Sequence, residues 1–398
     1  MFQTLRPQQP DPLLALIGLF RDDPRCDKID LGVGTYRDED GFTPVMDAIK
    51  SAERRLFETQ GSKAYLGPEG DPHFVDLLVR IAFGAADPAA GRLVGVQTPG
   101  GSGALRLGGE LIAAARPGAR VWLGTPTWPN HRPVFAAAGL TVAEYRSFDP
   151  ATQSIRFDEM IAALSQAVAG DVVLLHGCCH NPTGADLGEA QWQEIARLLA
   201  NRGLVPFIDL AYQGLGSGLE ADASGMRCVL AAVDEALVAY SCDKNFGLYR
   251  DRTGALFALA RDSGAAGVVR DNLIALARVN WSMPPDHGAA AVRCVLESED
   301  LSRNWRAELD GMCRRIHAVR RALAAADRRL AFLSGQRGMF AQLQIAPSAV
   351  AALRRDHGIY MAGSGRINLA GLRTADAGRF VRALDSVGAF SRLEAISA

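Results

Sequence analysis

The sequence predicts an α/β protein: a large domain built on a mostly parallel central sheet flanked by helices, and a smaller α+β domain. Two observations carry that expectation. Between Val94 and Ala260, short apolar runs alternate with Gly/Pro/polar clusters and helical patterns, which is how strands and helices take turns around a parallel sheet. The apolar runs are continuous rather than alternating, so both faces of the sheet are expected to be covered.

The runs expected to be strands are Arg120 to Gly124, Asp171 to Gly177, Leu204 to Leu210, Ala236 to Cys242 and Gly254 to Ala260. A long arginine-rich helical pattern, from about Asn304 to Asp327, carries the chain out of the sheet. The remainder, which includes "GIYMAGSGRINLAGL", has shorter elements and reads as a second domain, with which the early segment Lys28 to Gly34 is expected to pack. The boundaries this gives are an N-terminal arm over 1–14, a small domain over 15–43 and 312–398, and a large domain over 44–311. Pro7, Pro10 and Pro12 suggest an extended arm that lies on a partner subunit.

Lysine and arginine number 43 against 44 acidic residues in 398, and 48% of the chain is apolar. This is the profile of a soluble globular protein, with no electrostatic case for a nucleic-acid partner. No apolar run approaches the roughly 20 residues that span a bilayer, and prolines and an aspartate interrupt the N-terminal stretch that a signal peptide would keep continuous. A cytoplasmic protein without membrane contact is expected. Seven scattered cysteines with no C-x-x-C pair read as buried thiols, not as a metal or redox site.

In open parallel sheets the ligand sits beyond the carboxyl ends of the strands. The candidate set is therefore His176, His180 and Asn181 in "HGCCHNPTG", Asp209 and Tyr212 in "DLAYQG", and Ser241, Lys244 and Arg252 in "SCDKNFGLYRDRTG", with Trp128 and His131 in "TPTWPNH" upstream. In "TPGGSGALR", Gly100, Gly101, Ser102 and Gly103 precede a helix expected from about Ala104, so backbone N–H groups, the helix dipole and the Ser102 hydroxyl would meet one anion. The spacing is neither a dinucleotide fingerprint nor a Walker loop. Ser241 and Arg252 add a hydroxyl and a guanidinium suited to forked contact with phosphate oxygens, so a single phosphate is the expected anion. A partly desolvated lysine can have a lowered pKa and bond a carbonyl, and a carboxylate on the neighbouring strand end can pair with a protonated pyridine nitrogen. Lysine, phosphate cradle, carboxylate and the flat face of Trp128 together meet the demands of pyridoxal 5'-phosphate.

With "DLGVGTYRDEDG", "KAYLGPEG", "NWSMPPDHG" and "SGRINLAG" beside these motifs, the chain resembles, over essentially its whole length, the fold type I pyridoxal-phosphate aminotransferases of the aspartate and aromatic amino acid group. The resemblance implies that Lys244 bonds the cofactor's aldehyde and then moves a proton to and from the amino acid's Cα as general base and acid. It implies that Asp209, steadied by His131, holds the pyridine nitrogen, that Asn181 and Tyr212 bond the phenolic oxygen, and that Trp128 stacks on the ring. Gly101, Ser102, Ser241 and Arg252 would hold the phosphate, reached by Tyr65 from a neighbouring subunit. Arg366 would clamp the substrate α-carboxylate, Gly34 would lie in the segment that closes over it, and Arg278 of the other subunit would read a side-chain carboxylate. A homodimer with shared sites, acting on amino acids and 2-oxo acids and using no metal, is thus implied.

The chain departs from that pattern in places that matter. Asp243 stands where the family commonly has serine, beside the lysine and the phosphate site, and a carboxylate there repels phosphate unless it points away or pairs with a cation. Met283 and Ala64 stand where aspartate-selective members have asparagine, and Ser102 is the aromatic-type choice at its position. Apolar side chains around Arg278 make room for a ring and loosen the network that would fix that arginine for a dicarboxylate. The expected activity is transfer of the amino group of Phe, Tyr or Trp, and also Asp or Glu, to 2-oxoglutarate by a ping-pong mechanism. The alternatives are an aspartate aminotransferase, a specialised biosynthetic aminotransferase, or a non-catalytic cofactor-binding paralogue, which Asp243 keeps open.

Overall fold

The computed structural model describes residues 1–7, 12–84 and 91–390. One sheet contains β1 (Leu93–Pro99), β2 (Arg120–Thr125), β3 (Thr141–Arg146), β4 (Val172–His176), β5 (Val205–Leu210), β6 (Ala236–Ser241) and β7 (Thr253–Leu259), in the spatial order β1-β7-β6-β5-β4-β2-β3. Within this sheet β7 alone runs against its neighbours, antiparallel to both β1 and β6. The five strands expected from sequence form within a residue of their expected ends. β1 and β3 were not among them. β3 is an edge strand with a mostly exposed or half-buried "TVAEYR" pattern, and β1 carries glycine, glutamine and proline. The fully buried Gln97 of β1 is tolerated because its amide accepts from the Asp71 N–H at 2.8 Å and donates to the Pro285 carbonyl at 2.7 Å.

Four helices bear on the site: α1 (Gly100–Ala115), α2 (His131–Ala137), α3 (Ser263–Asn280) and α4 (Glu299–Ala326). α1 starts at Gly100 rather than near Ala104, so the glycine-rich stretch is the helix's own first turn. α4 starts five residues before the expected Asn304. The Ser298 hydroxyl caps it and Glu299 and Asp300 fill its first turn, where they face the positive end of the helix dipole.

α4 serves two apolar cores. Trp305, Leu309, Met312 and Ile316 pack with the sheet's core, whereas Val319 and Leu323 pack with Ile29, Leu31, Leu353, Ile367 and Phe380. Around the second core, Ile29–Asp30 pairs in parallel with Ile359–Tyr360, and Phe340–Gln342 pairs antiparallel with Arg366–Asn368. A helix over Pro12–Asp22 runs through the boundary expected at residue 14, and Pro10 lies outside the described residues. Cys26 is exposed and Cys228 half-buried, so the reading of all seven cysteines as buried thiols holds only for the other five.

Candidate active site

Strand register assembles the site. His176 pairs with Asp209 across β4 and β5, Asp209 pairs with Ala239 of β6, and Ser241 at the end of β6 pairs with Gly254 of β7. The strand ends therefore meet at one edge of the sheet, above the first turn of α1. The cleft there is lined by Gly101, Ser102, Trp128, His176, Asn181, Asp209, Tyr212, Ser241, Asp243 and Lys244. Nearly all of these belong to the set expected from sequence, in which His176 carries no role.

One end of the cleft is organised by Asp209. His131, the first residue of α2 and fully buried, lies with Nε2 at 3.0 Å from Asp209 Oδ2. A carboxylate can only accept, so Nε2 carries the proton, and the Thr127 hydroxyl at 2.7 Å from Nδ1 completes the chain. The Trp128 ring stands edge-on to His131 at 5.2 Å. His176 and His180 lie beside this pair, their ring centres 4.2 Å apart and their planes tilted by 52°. Burial, reinforced by the neighbouring imidazoles, holds His176 well below its ordinary pKa and brings His180 down to about 4, so both rings are uncharged at neutral pH. His176 Nε2 is buried without a hydrogen-bond partner among the described residues.

The other end is cationic. Gly100 takes φ +67°, and a Cβ there would come within 2.7 Å of Arg252 Nη2, so only glycine lets the α1 turn approach the guanidinium. Arg252 itself sits at φ +54°, a backbone region uncommon for residues with a side chain and found where a site fixes the chain. Its Nη1 donates to Asp243 Oδ2 at 2.6 Å and to the Tyr249 carbonyl at 3.1 Å. The Ser241 hydroxyl accepts from the Asp243 N–H at 3.2 Å. The carboxylate that sequence placed beside the phosphate site thus pairs with the arginine expected to serve the phosphate.

Lys244 lies between the two ends, with Nζ 3.8 Å from Asp243 Oδ2 and 5.4 Å from the centre of the Tyr212 ring. Burial lowers its pKa, and the carboxylates of Asp243 and Asp209 work against that shift. Burial also raises the Tyr212 phenol, keeping it a hydrogen-bond donor. Arg366 reaches the cleft from the second core: it donates to the Gly32 carbonyl at 2.6 Å, lies 3.5 Å from Asn181 Oδ1, and sits 4.7 Å over the Phe340 ring. Gly34 lies against the same ring, where a Cβ would meet Phe340 Cζ at 2.9 Å. Asn368 fixes that segment by donating to the carbonyls of Val33 and Thr35.

Three expected residues fall outside this cleft. Tyr65 is 93% exposed, Arg278 lies in the last turn of α3 and donates to the Ser282 hydroxyl, and Met283 accepts from the Leu66 N–H at 3.0 Å. The structure places Met283 beside the segment that carries Tyr65.

The residues fit a flat, phosphorylated pyridine aldehyde. They offer a buried acceptor at one end, a helix N-terminus with two hydroxyls and a guanidinium at the other, and an amine of lowered pKa between them. A model of the family "Aminotransferase class I and II" matches residues 26–384. A tyrosine aminotransferase of Rhizobium meliloti (strain 1021) is 55% identical over 382 residues, which cover 95% of this chain and 97% of the relative. Among solved structures, an aromatic amino acid aminotransferase with 3-indolebutyric acid superposes with a TM-score of 0.93 at 44% identity, covering 98% of this chain and all of the other. An aromatic-amino-acid aminotransferase from Burkholderia pseudomallei, covalently bound to pyridoxal phosphate, gives 0.93 at 38% identity and covers 97% of this chain and 99% of the other. No helix among the described residues is long and apolar enough to cross a membrane.

Proposed function

The chain belongs to the class I and II aminotransferase family, with the type I aminotransferase fold, and from that premise we propose that it moves the amino group of an aromatic L-amino acid to 2-oxoglutarate, using pyridoxal 5'-phosphate in a ping-pong cycle. The observation that carries this is the position of Lys244, an amine of lowered pKa held between the Asp209–His131 pair and the Arg252 end of one cleft. Pyridoxal phosphate, when bound, supplies the electron sink that allows a proton to leave the amino acid's Cα.

The chain's own groups do the rest. Lys244 would hold the aldehyde end of the cofactor, and its free amine would take the Cα proton of the amino acid as general base and give it back as general acid. Asp209, kept in place by His131, would pair with the cofactor's pyridine nitrogen. Asn181 and Tyr212 would bond the phenolic oxygen, and Trp128 would cover the ring face. Gly101, Ser102, Ser241 and Arg252 would hold the phosphate. Arg366 turns its guanidinium to the α-carboxylate, with the Gly34 segment above it. Tyr65 and Arg278, outside the cleft of their own chain, complete the site of a second copy. Homodimer, shared sites and cytoplasmic location go together in this reading.

Met283 and Ala64 support the aromatic preference. They put apolar groups where a dicarboxylate would want donors, and the relatives above carry tyrosine and aromatic names. Steady-state rates with phenylalanine or aspartate against 2-oxoglutarate test the proposal. It predicts parallel double-reciprocal lines and a larger kcat/KM for phenylalanine, whereas intersecting lines or a preference for aspartate would contradict it.

A further inference from the structure

We infer that Tyr249 is a positioning residue for the substrate α-carboxylate: its phenol oxygen holds the peptide group by which segment 32–36 passes from the second core, over Arg366, to the domain of the seven-stranded sheet. The inference rests on the assignment of Arg366 and the Gly34 segment above, and it adds a residue outside that assignment. The segment hangs mostly from the second core. Arg366 Nη2 donates to the Gly32 carbonyl at 2.6 Å, and Asn368 Nδ2 donates to the carbonyls of Val33 and Thr35 at 2.6 and 2.7 Å. At Tyr36 the anchorage changes. The Tyr36 ring is buried in the sheet's core, 5.4 Å from the Arg315 guanidinium, and its backbone N–H donates to the Tyr249 phenol oxygen at 2.9 Å. Among the described residues, no other hydrogen bond joins segment 32–36 to the sheet-bearing domain.

The Thr35 carbonyl and the Tyr36 N–H belong to one planar peptide group. Asn368 holds its oxygen and Tyr249 its nitrogen, so a single rigid plane bridges the two cores, and turning it to release one bond disturbs the other. Both grips are tied to the site. Asn368 stands two residues from Arg366 on one strand, so the two side chains share a face. Tyr249 lies on the loop between β6 and β7 that carries Lys244, and its carbonyl accepts from Arg252 Nη1 at 3.1 Å. Burial raises its phenol to about 12, so the oxygen meets the Tyr36 N–H as a neutral hydroxyl at physiological pH. Tyr249 is not among the residues that line the Lys244 cleft, and it therefore acts through segment 32–36 and not on the cofactor. Without the hydroxyl the peptide is held at its oxygen alone, and ordering the segment over a bound carboxylate draws on the substrate's binding energy.

The test is Tyr249→Phe in the full-length enzyme loaded with pyridoxal phosphate, a change that removes one oxygen and keeps the ring. Phenylalanine and aspartate present the same α-carboxylate, so KM is expected to rise by the same factor for both, about three- to tenfold, the size of one hydrogen bond. The same variant should keep kcat within about twofold of the wild type. Hydrogen exchange read by mass spectrometry should show the proteolytic fragment spanning residues 32–36 exchanging about three- to tenfold faster, with fragments from β5 and β6 unchanged. An unchanged KM, or an unchanged exchange rate in that fragment, would overturn the inference. So would a rise confined to one substrate, which would put Tyr249 in side-chain recognition, or a fall in kcat with an altered visible band, which would put it on the cofactor. If the wild-type chain itself gains no visible band with pyridoxal phosphate and transfers no amino group, the functional reading falls and this inference with it.

Discussion

The two ends of the Lys244 cleft are built on opposite electrostatic plans. At the Asp209 end one carboxylate is oriented by a buried histidine, and the adjoining imidazoles of His176 and His180 are held uncharged by burial, so neither adds a competing cation there. At the Arg252 end the chain supplies an anion of its own, and Asp243 already accepts from one nitrogen of the guanidinium, Nη1. Both ends contain the residue types their ligand group demands. What separates them is the partner each charged group already has, and that partner decides how strongly a ligand is held.

The largest expected effect belongs to neither end but to the amine between them. Lys244→Ala should lower transamination by about 10⁴-fold or more with an unchanged circular dichroism spectrum, and near-normal turnover would remove the basis of the comparison. Asp209→Asn keeps a similar shape opposite His131 but discards the charge. A loss of about 10²- to 10³-fold in kcat is expected, and a loss under about threefold would show that the Asp209 end does not hold a cation in the reaction.

Outside both ends, Arg278→Leu should cut kcat/KM for aspartate by about 10²-fold while changing that for phenylalanine less than about threefold. Equal losses for the two substrates would place Arg278 elsewhere in the mechanism. The smallest effect concerns stability. His180 has a folded pKa of about 4, below its ordinary 6.5, so between those values the unfolded chain binds the proton more readily. The stability due to its uncharged state is complete above about pH 6.5 and is lost as pH falls toward 4, by about 2 kcal/mol at pH 5. Denaturant titrations of the wild type and His180→Asn should show that pH slope flattened in the variant.

The Asp209 end and the lysine beside it were legible because they follow consecutive strands: His176, Asp209 and Lys244 each lie at or just beyond a run whose continuous apolar character announces a buried strand. The strand order and the antiparallel β7 were not legible, since register depends on pairings between segments far apart in sequence, such as Thr253 with Pro99. The start of α4 was missed because its first turn is polar and its signal is the Ser298 cap rather than an apolar stripe. At the Arg252 end, sequence showed that Asp243 needed a cation or another direction. The choice between the two turned on the backbone of Arg252, whose positive φ accompanies its approach to a residue nine positions earlier, and no local propensity predicts that conformation for arginine.

The most direct test of the central claim is the absorbance spectrum of the protein loaded with pyridoxal phosphate, recorded as phenylalanine and, separately, aspartate are added with no 2-oxo acid present. The account predicts that the visible band of the lysine-bound cofactor gives way to the near-ultraviolet band of its amine form, and that phenylalanine achieves this at lower concentration than aspartate. A visible band that neither amino acid removes would contradict it.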